Sequence, residues 1–370
     1  MNIEKATSEY ETWLKAHLRL IPADLEKKHE EMASQEGPFA FFRATFYRWM
    51  MLWPKICGKL DGAPEVLAVG DLHVENFGTW RDEEGRLVWG VNDFDEAYPL
   101  PYTLDLVRLA SSALLAIRQD QLWLDPDSAV NAILDGYSKA LAAGGGIFVL
   151  GEHHVWLRNM VSGDLRDPVA FWHKLERCPE TARMGREARA GISQALPRGA
   201  APVRIVARQA GLGSLGRERY VMLAEWHGAR IAREAKALAP SACVWAERRN
   251  KSAPIYYERV LKTAVRACDP HVKVHDKWLV RRLAPDCSRV DLSAHKKNPD
   301  EELRLLEAMG HETANIHLGA GKAKKILKDL EARPKNWLQR ACGEMVEAVE
   351  EDWKRWRESR GETGKKPAPK

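Results

Sequence analysis

The spacing of apolar residues divides the start of the chain into helical segments and two short strands. Residues 1–35 are highly charged and follow a helical pattern, which a Gly-Pro pair interrupts. The aromatic-rich segment 39–50 then predicts a buried helix. Residues 65–69 and 86–91 are short and apolar, which predicts two strands. Each predicted strand runs directly into a segment that contains aspartate.

The pattern changes character near residue 200. Before that point, two apolar helices are predicted at residues 103–117 and 128–141. After it, alternation with period two predicts three consecutive strands of an antiparallel sheet, at residues 203–208, 220–225 and 229–233. The remaining predicted elements are a helix, a strand and a helical region, at residues 256–268, 275–283 and 300–356. These separate helical and antiparallel regions predict an α+β fold.

The composition indicates a soluble protein with a sizeable core. The chain has 370 residues, of which 45% are hydrophobic, enough for one large domain or two lobes. No apolar run approaches the ~20 residues that a membrane-spanning helix needs, and the polar amino terminus is unlike a secretory signal. The six cysteines are scattered without a Cys-x-x-Cys pair, which argues against a zinc or redox site. We therefore expect a reduced, cytoplasmic location.

The charge balance argues against a nucleic-acid partner. The net charge of +5 is small, whereas nucleic-acid-binding domains concentrate a larger basic excess on one face. The densest basic run, residues 322–328, is more typical of the solvated face of a helix. We expect neither nucleic acid nor membrane as a partner, and the oligomeric state has no signature in the sequence.

Oxygen-bearing side chains follow both of the predicted amino-terminal strands. Asp71 and Asn76 come after the first strand, and Asp93 and Asp95 come after the second. Magnesium prefers oxygen ligands. Phosphoryl transfer uses such ions to neutralise phosphate charge and a carboxylate to accept the proton of the attacking hydroxyl. We therefore expect Asp71 as the general base and Asn76, Asp93 and Asp95 as metal ligands.

Two further residues near this cluster are candidates for supporting roles. His73 lies within the first segment, where it is either a ligand or, more typically of such loops, a packed and hydrogen-bonded side chain. Asp105 opens the predicted helix that follows the second segment, and its simplest role is an ordinary helix cap.

A glycine-rich segment connects the first two strands of the predicted sheet. Residues Gly211, Gly213 and Gly216 form the pattern Gly-x-Gly-x-x-Gly, with Ser214 inside it. The dinucleotide-binding version of this pattern precedes a helix, but here a strand-like segment follows. Strand, glycine loop and strand is the arrangement that covers nucleotide phosphates in protein kinases. We expect these four residues to contact a nucleotide.

The next strand should supply a cation for the phosphates. Lys236 and Arg233 are the candidates, and Lys236 is favoured because a compact ammonium suits that role. A helical glutamate should pair with this cation. Glu258 is the first candidate for that partner and Glu247 the second.

Together these residues resemble the protein-kinase-like superfamily, and its aminoglycoside and choline phosphotransferases in particular. The motif Asp-x-His-x-x-Asn of those enzymes corresponds to Asp71, His73 and Asn76, and the motif that follows it to Asp93 and Asp95. The chain is more closely similar to the bacterial domain-of-unknown-function family 2252, over roughly residues 28–355. The segments that carry this similarity are Pro38-Phe-Ala-Phe-Phe-Arg43, Gly70-Asp-Leu-His-Val-Glu-Asn-Phe-Gly78, Asn92-Asp-Phe-Asp-Glu-Ala97, Gly211-Leu-Gly-Ser-Leu-Gly216, Arg233-Glu-Ala235 and Pro240-Ser241.

The order of these motifs differs from that of a kinase, in which the glycine loop precedes the catalytic segment. The resemblance therefore implies a two-lobed, kinase-like fold that is circularly permuted, a rearrangement that is tolerated when chain termini lie close together. The expected parts are a catalytic half with the metal-binding loops, a small lobe with the glycine-rich hairpin, returning large-lobe helices and a disordered tail. Their boundaries are residues 1–200, 201–290, 291–358 and 359–370.

The resemblance implies an ATP- and Mg²⁺-dependent phosphotransferase that acts on a hydroxyl-bearing substrate, a small molecule or else a protein. Two alternatives remain open: transfer of AMP on the same fold, and a non-catalytic ATP-binding pseudokinase. Val69 stands where kinases usually have histidine, and Arg233 where the family has lysine, which favours the pseudokinase. The intact set of Asp71, Asn76 and Asp93 argues against it. The acceptor pocket is expected within residues 98–200, where no motif identifies the acceptor.

Overall fold

A computed structural model describes residues 1–151, 153–160, 167–248, 254–287 and 297–361. The fold is α+β, as the sequence predicted, with helices at both ends of the chain and a sheet between them. Fourteen α-helices are numbered in chain order over the described residues. They are α1 (Ile3–Lys15), α2 (Pro22–Met32), α3 (Pro38–Ala44), α4 (Phe46–Ile56), α5 (Tyr102–Arg118), α6 (Pro126–Ala143), α7 (Val155–Met160), α8 (Pro168–Glu176), α9 (Arg186–Ala195), α10 (Ala242–Ala246), α11 (Tyr257–Thr263), α12 (Pro299–Leu318), α13 (Ala323–Glu331) and α14 (Trp337–Ser359).

Ten strands in the described part of the chain form three separate sheets. They are β1 (Glu65–Ala68), β2 (Phe77–Arg81), β3 (Leu87–Val91), β4 (Tyr98–Pro101), β5 (Phe148–Val149), β6 (Ala201–Ala207), β7 (Arg219–Trp226), β8 (Ala229–Ala237), β9 (Lys273–His275) and β10 (Trp278–Leu283). The largest sheet has five strands in the order β6-β7-β8-β10-β9, and all its pairings are antiparallel. This confirms the antiparallel sheet that the period-two pattern predicted.

The two small sheets place the aspartate-bearing segments side by side. β1 pairs with β4, and β2 pairs with β3, which also pairs with β5. Residues 69–76 connect β1 to β2, and residues 92–97 connect β3 to β4. Because each pair is antiparallel, both connections leave their strands at the same end of these sheets.

One large hydrophobic core joins the amino-terminal and carboxy-terminal helices. It extends from Ile3 to Trp356 and includes most of the buried apolar side chains. Within it, α6 crosses α12 at two glycines. A Cβ on Gly136 would lie 1.9 Å from the carbonyl oxygen of Glu307, and a Cβ on Gly310 would lie 2.0 Å from that of Ile133. No larger residue fits at either position without separating the helices, because such distances are far below van der Waals contact.

Several predicted elements differ in length or continuity from the structure. The aromatic helix at residues 39–50 is divided at Thr45 into α3 and α4. The helix expected at residues 256–268 is shorter, and the strand expected at 275–283 is a hairpin that turns at Asp276, where φ is +52°. A single strand could not hold a residue in that left-handed conformation. The predicted disordered tail falls largely on residues 362–370, outside the described residues.

No helix among the described residues is both long and apolar enough to cross a membrane.

Glu312 on α12 is a buried carboxyl group beside β3. Its Oε1 atom accepts the backbone N–H of Val91 at 3.2 Å, and its Oε2 atom accepts the side-chain amide of Asn315 at 2.7 Å. Burial raises the pKa of Glu312 to about 7, although Arg266 favours the charged form. Since the pKa is higher in the folded chain than in the unfolded one, ionisation of Glu312 favours unfolding.

We expect this carboxyl group to make stability fall as the pH rises. At pH 5 the group is protonated in the folded chain, whereas at pH 8 it is ionised, and stability is lost between these values. Replacing Glu312→Gln should therefore raise the free energy of unfolding relative to the wild type more at pH 8 than at pH 5, measured by urea denaturation. The exposed Glu347→Gln on α14 is the control. Parallel pH profiles for wild type and Glu312→Gln would contradict the assignment.

Candidate functional site

A buried carboxylate on α5 holds the first aspartate-bearing segment in place. Asp105 is fully buried and accepts hydrogen bonds from the backbone N–H groups of Val69 at 2.7 Å and Gly70 at 2.9 Å. Its Oδ2 atom also lies 2.9 Å from Nε2 of His317 on α12. Asp105 is thus not the helix cap that its position suggested, because α5 already begins at Tyr102; its carboxylate instead fixes the backbone immediately before Asp71.

Gly70 brings the two aspartate-bearing segments into direct contact. Its φ is +81°, and a Cβ at this position would lie 2.4 Å from the carbonyl oxygen of Glu96. Only glycine satisfies both the left-handed backbone and the close approach. The glycine before Asp71 therefore sets the distance between the two segments.

Asp71 forms an ion pair with a fully buried arginine. Nε of Arg108 donates to Oδ1 of Asp71 at 3.0 Å, and a second guanidinium nitrogen contacts the same oxygen. The guanidinium carbon lies 4.1 Å from the ring centre of Phe42 and 4.9 Å from those of Phe46 and Trp49. Burial raises the pKa of Asp71, while the attraction of Arg108 favours its ionised form. The arginine thus fixes the position of this carboxylate.

Asn76 and His73 complete the first segment. The Asn76 side-chain N–H₂ donates to the carbonyl oxygens of Asp71 at 2.9 Å and Asp93 at 3.4 Å. Because both donors are directed to the backbone, Oδ1 is the atom of this side chain that can bind a cation. Nδ1 of His73 accepts the backbone N–H of Glu75 at 3.2 Å, which agrees with a structural role.

Lys236 on β8 bridges the two aspartates of the second segment. Its Nζ atom lies 3.1 and 3.0 Å from the two carboxylate oxygens of Asp93 and 2.6 Å from Oδ2 of Asp95. Burial and the neighbouring charge of Asp93 raise the pKa of Asp95, although Lys236 opposes this shift. Oδ1 of Asp95 is buried and has no hydrogen-bond partner among the described residues.

Arg217, directly after the glycine-rich segment, contacts the second segment from the other side. Its guanidinium lies 3.4 Å from Oδ2 of Asp95 and 3.2 Å from Oε1 of Glu96, and it is also 3.5 Å from the hydroxyl of Tyr10. Lys236 and Arg217 together supply two positive charges to the carboxylates of residues 93–96. These two cations therefore offset most of the negative charge of the second segment.

The glycine-rich segment lies directly on Asp71. A Cβ on Gly213 would be 3.4 Å from Oδ2 of Asp71 and 3.1 Å from the carbonyl oxygen of Arg43 on α3. The segment turns through a short 3₁₀ helix, Leu212–Ser214, and φ is positive at Gly211. A side chain at position 213 would be in van der Waals contact with the carboxylate and would press on the carbonyl oxygen of Arg43. The small residue at this position thus lets the backbone approach Asp71 closely.

Helix α2 supports the glycine-rich segment from outside. Nζ of Lys28 donates to the carbonyl oxygen of Gly213 at 3.3 Å, and burial lowers the pKa of Lys28 to about 8. The carbonyl oxygen of Gly216 accepts the N–H of Ile21 at 2.8 Å, and a Cβ on Gly216 would lie 2.4 Å from Leu25. Gly216 therefore contacts α2 rather than the aspartates.

Glu234, two residues before Lys236, is surrounded by three arginines. Arg208, Arg219 and Arg281 each form an ion pair with its fully buried carboxylate. Burial alone would raise the pKa of Glu234, but the three guanidinium groups hold it well below its usual value. Arg219 also donates to Oγ of Ser214 at 2.8 Å. This cluster connects the sheet to the glycine-rich segment.

These contacts enclose a small polar pocket of about 50 Å³. It is large enough for a water molecule or a metal ion but not for a triphosphate, so binding a nucleotide here requires the glycine-rich segment to move. The residues that line the pocket include Arg43, Asp71, His73, Asn76, Asp93, Asp95, Glu96, Gly211, Gly213, Ser214 and Arg217.

A larger cleft of about 420 Å³ also has Gly211 in its wall. Arg208, Arg219 and Arg281 line it, together with residues of β2. Tyr257, Val272 and Leu283 contribute apolar and aromatic surface. Cationic and apolar surfaces meet here beside the aspartates, and this combination suits a ligand with an anionic part and a planar part.

The structure does not bring Arg233 to the aspartates, unlike the sequence-based expectation that placed it at this site. Side chains alternate between the two faces of a strand, and Arg233 is an odd number of positions from Lys236 on β8. Its guanidinium donates instead to the carbonyl oxygens of Ala195 at 2.9 Å and Ala232 at 3.0 Å. Of the two candidate cations, the structure brings only Lys236 to the aspartates.

Glu258 does not pair with Lys236, which corrects a second prediction. Glu258 is exposed on α11 and lies 3.2 Å from Lys262, one turn along the same helix. Glu247, the other candidate, accepts a hydrogen bond from the hydroxyl of Tyr98 at 3.1 Å. Asp93 and Asp95 take the place of a helical glutamate as the partners of Lys236.

Sequence reasoning missed four charged residues of the site, namely Arg43, Glu96, Arg108 and Arg217. Arg43 and Glu96 lie within motif segments, but nothing in those motifs distinguishes them from packing residues. Arg108 is a charged residue on the apolar face of α5, and this was the available signal, because buried arginines require an anionic partner.

The donor atoms around Asp93 fit a hard cation. Asn76 offers its amide oxygen, Asp93 its carboxylate, and Asp95 an oxygen without a hydrogen-bond partner among the described residues. Lys236 currently neutralises the two carboxylates. In the described residues, no group of three or more His, Cys, Asp or Glu side chains is arranged to hold a metal alone. A cation here would therefore share its coordination with a ligand, as Mg²⁺ does with phosphates.

Comparison with known proteins supports the amino-terminal part of the resemblance. Residues 19–151 match the model of a family described as an uncharacterized protein conserved in bacteria, DUF2252. The matched part ends before the glycine-rich segment. No curated protein and no solved structure matches the chain. The chain is therefore similar, across both of its aspartate-bearing segments, to the uncharacterized bacterial family DUF2252.

Proposed function

We propose that this protein is a Mg²⁺- and ATP-dependent phosphotransferase with a hydroxyl-bearing acceptor. One observation carries the proposal: three segments distant in the sequence, residues 71–76, 93–96 and 211–214, line a single pocket. A carboxylate for proton transfer, oxygens for Mg²⁺ and a glycine-rich turn for phosphates are the parts that phosphoryl transfer needs.

In the proposed reaction, Asp71 is the general base. The acceptor oxygen forms a bond to the γ-phosphorus as the bond from that phosphorus to the β,γ-bridging oxygen breaks. ADP leaves, and the acceptor's hydroxyl proton moves to the carboxylate of Asp71. Arg108 holds this carboxylate in position and favours its ionised, proton-accepting form.

Asn76, Asp93 and Asp95 would hold Mg²⁺, which neutralises phosphate charge in such reactions. Lys236, now paired with both aspartates, would be available to the phosphates once Mg²⁺ takes its place. The adjacent cleft would hold the rest of the nucleotide, with Tyr257 and Leu283 beside the base. Opening of the glycine-rich segment away from Asp71 is the motion that admits the triphosphate.

The sheet supports the further proposal of a two-lobed, circularly permuted kinase-like fold. The glycine-rich segment connects β6 to β7, and Lys236 lies on β8, which is the order of these parts in a kinase small lobe. The catalytic segments precede this sheet in the sequence, and α12 follows it. The segments before and after the sheet would therefore form the catalytic lobe together.

The experiment is to incubate the protein with Mg²⁺-ATP and fractionated bacterial small molecules and to identify the nucleotide product. ADP together with a phosphorylated acceptor is the expected result. Pyrophosphate and an AMP-modified acceptor would instead establish nucleotidyl transfer. ATP binding without turnover on small-molecule or protein fractions would favour a pseudokinase.

A further inference from the structure

A second cavity lies beside the glycine-rich segment and shares Glu75, Gln209, Ala210 and Gly211 with the proposed nucleotide cleft. Its volume is about 400 Å³, within the range for small-molecule sites. The loop after α2, helix α3, the residues that follow α5 and residues 209–215 form most of its wall. It shares Arg43, Gly211 and Leu212 with the pocket that contains Asp71. A ligand here would therefore adjoin both the pocket that contains Asp71 and the proposed nucleotide cleft.

The wall of this cavity is rich in amide and hydroxyl groups. Gln119, Gln121, Gln209 and Ser34 all line it. Nε2 of Gln119 and Oε1 of Gln121 are buried and have no hydrogen-bond partner among the described residues. Nε of Arg43 is also buried and has no hydrogen-bond partner among the described residues. Buried polar atoms are nearly always paired in folded proteins, so the side chains of these three wall residues keep hydrogen-bonding capacity that the described residues do not use.

The charges of the cavity select against an anionic ligand. Glu31, Glu36 and Glu75 provide three carboxylates, against two cations, Lys27 and Arg43. Arg43 is already paired with Glu75, and Lys27 contacts Gln209. A phosphate or carboxylate ligand would thus meet an excess of negative charge, against which Lys27, in contact with a neutral amide, supplies one positive charge.

We propose that this cavity binds a small, uncharged polyhydroxyl compound, which is the phosphoryl acceptor of the reaction proposed above. Hydroxyl groups both donate and accept hydrogen bonds, so they can satisfy a glutamine N–H₂ and a glutamine carbonyl in the same wall. The cavity lies outside residues 98–200 for most of its wall, so this proposal places the acceptor elsewhere than expected from the sequence. The acceptor role rests on the proposed phosphotransferase function, whereas polyol binding does not.

The test is ligand-observed saturation-transfer NMR on the full chain without nucleotide. The probes are myo-inositol and glucose, with citrate as the anionic probe. Two variants alter the cavity: Gln121→Leu removes an unpartnered amide, and Ala40→Trp fills the space beside α3. Gln194→Leu, at an exposed position on α9, is the matched control. Circular dichroism establishes that each variant is folded, and Gln121→Leu alone decides the test if Ala40→Trp is not.

We expect millimolar binding of at least one polyol, weakened at least fivefold in Gln121→Leu, abolished in Ala40→Trp and unchanged in Gln194→Leu. Absence of signal from both polyols, equal binding by Gln121→Leu and wild type, or tighter binding of citrate would overturn the proposal. Polyol binding by a protein that fails to bind Mg²⁺-ATP would retain the cavity assignment and reject the phosphotransferase.

Discussion

Replacing Asp71→Asn is expected to lower turnover at least ~10³-fold while changing ATP affinity less than about threefold. The amide keeps the shape of the side chain, and its oxygen can still accept a hydrogen bond from Arg108. It cannot accept the proton of an attacking hydroxyl, so the loss should appear in kcat. Coupled detection of ADP release measures turnover, and calorimetric titration measures affinity.

The pH dependence of the same reaction provides a second measurement of Asp71. Burial raises the pKa of this carboxyl group, and a base must be ionised to act. Activity should therefore fall on the acid side with a midpoint above the ordinary value for aspartate. The exposed Asp127→Asn on α6 is the control and should retain wild-type activity. Comparable turnover by Asp71→Asn and wild type would remove Asp71 from the chemistry.

Replacing Lys236→Met is expected to weaken Mg²⁺-ATP binding at least tenfold. Lys236 is buried and contacts both Asp93 and Asp95, so its removal leaves two carboxylates side by side without their shared cation. It also removes the ammonium proposed to contact the phosphates. Dissociation constants from calorimetry at a fixed Mg²⁺ concentration measure the effect.

Arg233→Met is the matched control, because it removes a cation from the opposite face of the same strand. Its guanidinium donates only to backbone carbonyl oxygens among the described residues. Nucleotide affinity should stay within about twofold of the wild type, while thermal stability decreases. A larger loss of affinity in Arg233→Met than in Lys236→Met would show that the phosphates lie on the other face of the sheet.

The sequence predicted most of the elements because their periodicity is local. The alternation in residues 203–233 specified three strands, and apolar runs specified β1 and β3. What it could not specify is which distant groups meet. Because side chains alternate between the two faces of a strand, Lys236 and Arg233, three positions apart, had to lie on opposite faces. The sequence did not show which of the two faces carries the site.

The ion pairs of the site are the least predictable feature. Arg108 meets Asp71 only because α5 passes beneath the first aspartate-bearing segment, and Arg217 meets Glu96 only because the glycine-rich segment folds onto the second. The glutamate expected to pair with Lys236 was inferred from the arrangement in kinases. In the structure, that residue, Glu258, faces solvent. Such contacts depend on tertiary packing, which residue spacing in one segment does not encode.

The central claim is that the three segments form one Mg²⁺-ATP site, and calorimetric titration of ATP tests it most directly. The titration is made with and without Mg²⁺ on the wild type and on Asp93→Asn. We predict binding that depends on Mg²⁺ in the wild type and is at least tenfold weaker in Asp93→Asn. Failure of the wild type to bind ATP with Mg²⁺, or equal binding by both proteins, would contradict the account.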